Sequence, residues 1–113
     1  MNKIYLAIKD NGMRSIPLSS ILTIEAEDHY VSIYYVCDGK VENLFAYAKI
    51  GELGRILPKE FVRVGRSQII NTKQVLSANG ETLRFTGSLS LQLKTHAAVR
   101  FFYNELALIV KKK

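Results

Sequence analysis

The stretch FVRVGRSQIIN, Phe61 to Asn71, sets two arginines, a serine and a glutamine inside an apolar, strand-forming run. Phe61, Val62 and Val64 precede the polar step Gly65-Arg66-Ser67-Gln68, and Ile69 and Ile70 follow it before Asn71. That order predicts two short strands with a bend between them. A bend on a rigid sheet holds a guanidinium and a hydroxyl outward. Arg offers a two-pronged donor fork and Ser a compact hydroxyl, a pair suited to phosphate oxygens and, for the fork, to a guanine edge. Nucleic acid is the first partner this chemistry suggests.

The flanking sequence has the same strand character. Ile4, Leu6 and Ile8 alternate up to Asp10-Asn11-Gly12, a hairpin signal, and Arg14 to Leu18 reads as the returning strand, with Pro17 placing it at an edge. Ser19-Ser20 introduces the apolar segment Ile21, Leu22, Ile24. Val31, Ile33 and Tyr35 then alternate with Ser32 and Tyr34 up to Asp38-Gly39, and Lys40 to Phe45 return. From Tyr47 the period becomes helical through Ile50, Leu53, Ile56 and Leu57, stopped by Pro58 and weakened by Gly51 and Gly54. Val75 to Ala78 and Glu81 to Phe85 flank Asn79-Gly80, and a turn at Thr86-Gly87-Ser88 leads to Leu89, Leu91 and Leu93. His96 to Val110 repeats Val99, Phe102, Leu106, Ile109 and Val110 at helical spacing, with Thr95 placed to cap it. These elements predict a mainly β, multi-stranded antiparallel domain of about eight to ten short strands, with one short internal helix and a C-terminal helix.

At 113 residues and 48% hydrophobic content the chain reads as one domain, residues 1–113, around a single core. Its net charge of +6 has the sign a polyanion binder needs, although Lys111, Lys112 and Lys113 supply part of it as a basic tail. The single cysteine, Cys37, has no partner for an internal disulfide and reads as a small buried hydrophobe in a reducing, cytoplasmic protein. No run is long and apolar enough for a membrane span, and no signal peptide is evident. A glycine-rich phosphate loop, metal-ligand spacing and a nucleophile elbow are all missing. The expectation is a protein without enzymatic activity, cofactor, metal or small-molecule substrate.

Three polar steps interrupt the strands: Asp28-His29-Tyr30, Arg66-Ser67-Gln68 and Lys94-Thr95-His96. Emerging together on one edge of a sheet, they would form a row of donors that fits along a duplex, with loops rather than a recognition helix entering the grooves. Arg63 and Lys73 stand by as further phosphate ligands. Strand alternation turns Arg63 and Arg66 to opposite sides unless Gly65 permits a bulge.

The order of IPLSSILTIEAEDHYVSIYY, LFAYAKIGELGRILPKEFVRVGRSQIINTKQV and a last strand followed by a polar step resembles the LytTR DNA-binding domain. The resemblance runs from about Arg14 to Tyr103 and is most specific at Pro58, Phe61, Arg63, Arg66, Ser67, Asn71 and Val75. It implies an elongated β fold that inserts loops into successive major grooves of promoter DNA, bending it, as the output domain of a bacterial response regulator in a two-component system. It also implies homodimers on paired repeats. His29 falls on the base-contacting position of the early hairpin, Arg66 on the second contact and Ser67 on its phosphate-binding neighbour. The third contact falls among Lys94, Thr95 and His96, where the family often shows a serine followed by arginines; His96 aligns as reader and Lys94 as phosphate ligand. Gly65 stands where the family usually has histidine.

Simpler readings apply to several of these residues. His29 beside Glu27 and Asp28 is, by itself, an exposed histidine paired with a carboxylate. Asn71 ties down a turn through its own backbone. Tyr30, Tyr34 and Tyr35 are half-buried sheet residues before they are a stacking surface. The rival function is a small β protein-interaction module working through that tyrosine-rich hairpin, with incidental positive charge.

Overall fold

The alternating runs fold as ten strands and the helical runs as two helices in the computed structural model, which describes residues 2–9, 12–93 and 95–111, the last six of these as backbone only. In chain order they are β1 (Lys3–Ile8), β2 (Gly12–Pro17), β3 (Ile21–Ala26), β4 (Val31–Cys37), β5 (Lys40–Ala46), α1 (Ile50–Ile56), β6 (Phe61–Val64), β7 (Gln68–Asn71), β8 (Val75–Asn79), β9 (Thr82–Phe85), β10 (Ser90–Gln92) and α2 (His96–Lys111). Every pairing is antiparallel. Seven strands form one sheet in the order β2-β1-β5-β4-β3-β7-β6, and β10-β9-β8 form a second. The molecule is elongated, 41 × 29 × 24 Å.

Local chemistry explains the turns. Asp38 and Gly39 both take positive φ, 52° and 77°, as a tight two-residue hairpin with Cys37 opposite Lys40 requires. The Asn79-Gly80 signal operates one residue later than its reading. Asn79 pairs with Thr82, so Gly80 and Glu81 form the loop, and only Gly80 has positive φ. Residues 10 and 11 of the first turn lie outside the described residues, but Ile8 pairs with Gly12 and the hairpin closes. Cys37 is exposed rather than buried, because β4 ends beside the tight turn where little packs over it.

Two apolar clusters replace the single core that composition suggested. On one face of the large sheet Ile24, Phe61 and Ile69 meet Ile50 and Leu53 of α1, Leu57, and Ile4, Leu6 and Ile16 of the first hairpin. On the other face Leu22, Val62, Val64 and Ile70 meet Leu83 and Phe85 of the small sheet, Leu93, and Ala98 and Phe102 of α2. Strand β7 is covered on both faces, and all four of its residues are buried. Consecutive isoleucines at 69 and 70 follow from that double cover, since each fills a different cluster.

The helix begins at Ile50 and not at Tyr47, because the Tyr47 N–H donates to Ala7 O at 2.8 Å and keeps that segment extended against β1. Gly51 and Gly54 lie beneath the side chain of Arg63. A Cβ on Gly51 would stand 3.4 Å from Arg63 Nη1, and one on Gly54 3.5 Å from Arg63 Cδ. Both are ordinary contact distances, so alanine fits at either position. Gly54→Ala is expected to raise unfolding stability by about 0.5–1 kcal/mol through helix propensity, read from the urea midpoint. A loss instead would mean that Arg63 needs the open space.

Candidate nucleic-acid interface

Antiparallel pairing decides which loops meet. Strand β3 runs toward Ala26 and its partner β7 runs away from Gln68, with Glu25 opposite Gln68. The bend Glu27–Tyr30 and the turn Gly65–Ser67 therefore leave the same end of the sheet. Ala26 N–H donates to Ser67 O at 2.8 Å and joins them directly. The third segment arrives from the other sheet: Leu93 N–H donates to Glu81 O at 2.7 Å, and the chain then turns into α2. A cleft of about 570 Å³ between the Gly65 turn and the head of α2 is lined by Arg63, Gly65, Thr95, Ala97, Ala98 and Phe101. Bend, turn and helix start thus form a row along the end of the β3-β7-β6 part of the sheet.

Within that row His29 and Arg66 are exposed and Ser67 is half-buried. His29 makes no ion pair among the described residues, so the carboxylate-paired reading of it finds no support there. A three-residue loop, Gly65-Arg66-Ser67, closes β6 onto β7 with Val64 opposite Gln68; no bulge is needed. Gly65 has φ 65°, and a Cβ there would meet nothing within 4 Å, so it serves the backbone conformation and not a close approach. Tyr30 is half-buried, its ring edge-on to Phe45 at 5.1 Å and 81°. At the third segment Thr95 Oγ1 accepts from Ala98 N–H at 2.9 Å, the cap its position foretold. His96 is exposed as the first residue of α2. Lys94 lies outside the described residues.

Two sequence candidates fall elsewhere. Gln68 is only 1% exposed, because it opens β7 on the face covered by the second cluster, and its Nε2 has no partner among the described residues. It is not a surface contact. Lys73 stands beyond the opposite end of β7, in the turn Thr72–Gln74, with Nζ 3.8 Å from Glu60 Oε2. Four residues of extended strand, on the order of 13 Å, separate it from the row. Arg63 is exposed on the side opposite Val62 and Val64, as alternation requires; its side chain runs along α1 and also borders the cleft, so it stands at the margin of the row.

Sequence reasoning passed over Arg100, an exposed cation one helical turn after His96 and hence on the same side of α2. The four-residue spacing was its available signal. Tyr35 is in the core, with its hydroxyl accepting from Arg14 Nη2 at 3.2 Å, and Tyr30 and Tyr34 are half-buried.

A family model described as the LytTr DNA-binding domain matches residues 11–106. A solved LytTr DNA-binding domain from a Bacillus cereus protein described as a methyl-accepting/DNA response regulator superposes with a TM-score of 0.74 at 20% identity, covering 94% of this chain and 97% of that one. No curated protein matches the chain.

Proposed function

We propose, since this chain belongs to the LytTR family of DNA-binding domains, that it reads duplex DNA sequence-specifically as a bacterial transcriptional regulator in the cytoplasm. The observation that carries the reading is the shared sheet end, where the Ala26–Ser67 hydrogen bond and the Gly65 cleft set His29, Arg66 and His96 in one row. Side chains at strand ends are held by a packed sheet, so they can meet base edges with little ordering cost. Arg66 and His29 discriminate bases through the major groove, with His96 as the third reader. Ser67, Tyr30, Lys94 and Arg100 hold phosphates, and Arg63 supports them from the α1 side. The exposed carboxylates of Glu27 and Asp28 oppose phosphate beside His29, so in that loop only the Tyr30 hydroxyl serves the backbone while His29 reads bases.

Selection from a random duplex pool tests this directly. An enriched motif is expected, and its repeat spacing, if present, reports paired copies. Arg66→Ala is expected to lose about 1–3 kcal/mol of discrimination, roughly 5- to 150-fold, at one base pair of that motif while keeping non-specific binding. Unchanged affinity and preference in a gel-shift series would remove Arg66 from the site.

A further inference from the structure

Strand order places one more segment on the row. Val31 pairs with Ala46, so β5 ends beside the point where the bend Glu27–Tyr30 enters β4, and Tyr47-Ala48-Lys49 follow directly. Resting on the DNA-binding reading above, we infer that Tyr47 and Lys49 form a fourth DNA contact, to the phosphate backbone, at the end of the row away from α2.

The geometry is specific about this. Across the sheet the order β5-β4-β3-β7-β6 makes the β5 end, the His29 bend and the Arg66 turn successive neighbours. Strands lie about 4.8 Å apart, so β5 to β6 spans on the order of 19 Å, or about five to six base pairs at roughly 3.4 Å each. The segment is rigid: Ala7 O holds the Tyr47 N–H, and Lys49 O accepts from Glu52 N–H at 3.0 Å and Leu53 N–H at 3.1 Å. The rings of Phe45 and Tyr30 bridge it to the neighbouring bend. Tyr47 is nevertheless 54% exposed, and Lys49, also exposed, caps nothing with its side chain and makes no ion pair among the described residues. An ammonium and a phenol anchored on ordered backbone are phosphate donors, and neither reads a base. Glu52 is the acid nearest in sequence; being exposed in the first turn of α1, it is free to turn to solvent.

The test uses the full chain and the selected duplex. Lys49→Gln is expected to lower affinity about threefold to tenfold and to flatten the salt dependence by about 0.9 log unit per log unit of salt, the share of one phosphate, with the motif unchanged. Tyr47→Phe removes only the hydroxyl and is expected to lower affinity about twofold to fivefold. Trimming the duplex on the His29 side should weaken the wild type more than Lys49→Gln alone does and leave a variant carrying both Lys49→Gln and Tyr47→Phe unaffected. Unaltered thermal unfolding of both variants confirms that the fold is intact. Wild-type affinity and salt slope in both variants would overturn the fourth contact. If Arg66→Ala lost discrimination in the same assay, the three-segment reading would survive alone; a wild type that selects no motif would overturn both.

Discussion

Phe102→Ala is expected to cost about 3–5 kcal/mol of unfolding stability, the range for deleting a fully buried phenylalanine. Phe102 has no exposed surface and fills the second cluster between α2 and the inner face formed by Val62, Val64 and Ile70. Domains of this size hold about 5–15 kcal/mol in total, so the variant is marginal at room temperature. The proposed reading of DNA rests on the same contact. The Phe102 side chain, the Thr95 cap and the bond from Tyr103 Oη–H to Gly80 O at 2.9 Å seat α2, and α2 carries His96 to the end of the row. Below its melting temperature the variant should bind DNA with weakened discrimination at the third contact and normal discrimination at the Arg66 position. Urea unfolding measures the first effect and competition binding the second; a loss under about 1 kcal/mol would show that α2 is not packed on the sheet through this ring.

Asn71→Ala is expected to cost about 2–4 kcal/mol, because one amide serves two parts of the chain. Asn71 Nδ2 donates to Ile21 O at 2.8 Å, with Leu18 O at 3.5 Å, while Oδ1 accepts from Lys73 N–H at 3.2 Å. The residue is 2% exposed, so alanine strands a buried carbonyl that water does not reach. Asn71→Asp separates the two roles. Aspartate keeps the acceptor for Lys73 N–H but brings a charged oxygen against carbonyls that need a donor. It is expected to be no better than alanine. Near-native stability of Asn71→Asp in chemical denaturation would reduce Asn71 to the local turn-former its sequence context suggests.

Much of the fold was legible because its cues are local. The Asp38-Gly39 turn, the Thr95 cap, the stop at Pro58 and the alternation of Leu89, Leu91 and Leu93 each depend on residues a few positions apart. The misreadings share one cause. A period of two reveals which residues share a face but not what covers that face or which end of the strand a residue occupies. Gln68 sat in a polar step and is buried because α2 and the small sheet cover that side of β7. Lys73 followed the same strand and lies past its far end. Tyr47 and Lys49 looked like the start of a helix, and only the bond to Ala7 O holds them extended.

Local residue order was enough for the short strands and two helices, a positive balance, three polar steps at strand boundaries and the family pattern around Arg66 and Ser67. Long-range packing brought the steps at His29, Arg66 and His96 to one end of a sheet and fixed which side chains stay free there. The pairing of β3 with β7 and the docking of Phe102 join segments far apart in the chain. Their favourable free energy comes from backbone hydrogen bonds and apolar burial against partners that no local pattern names.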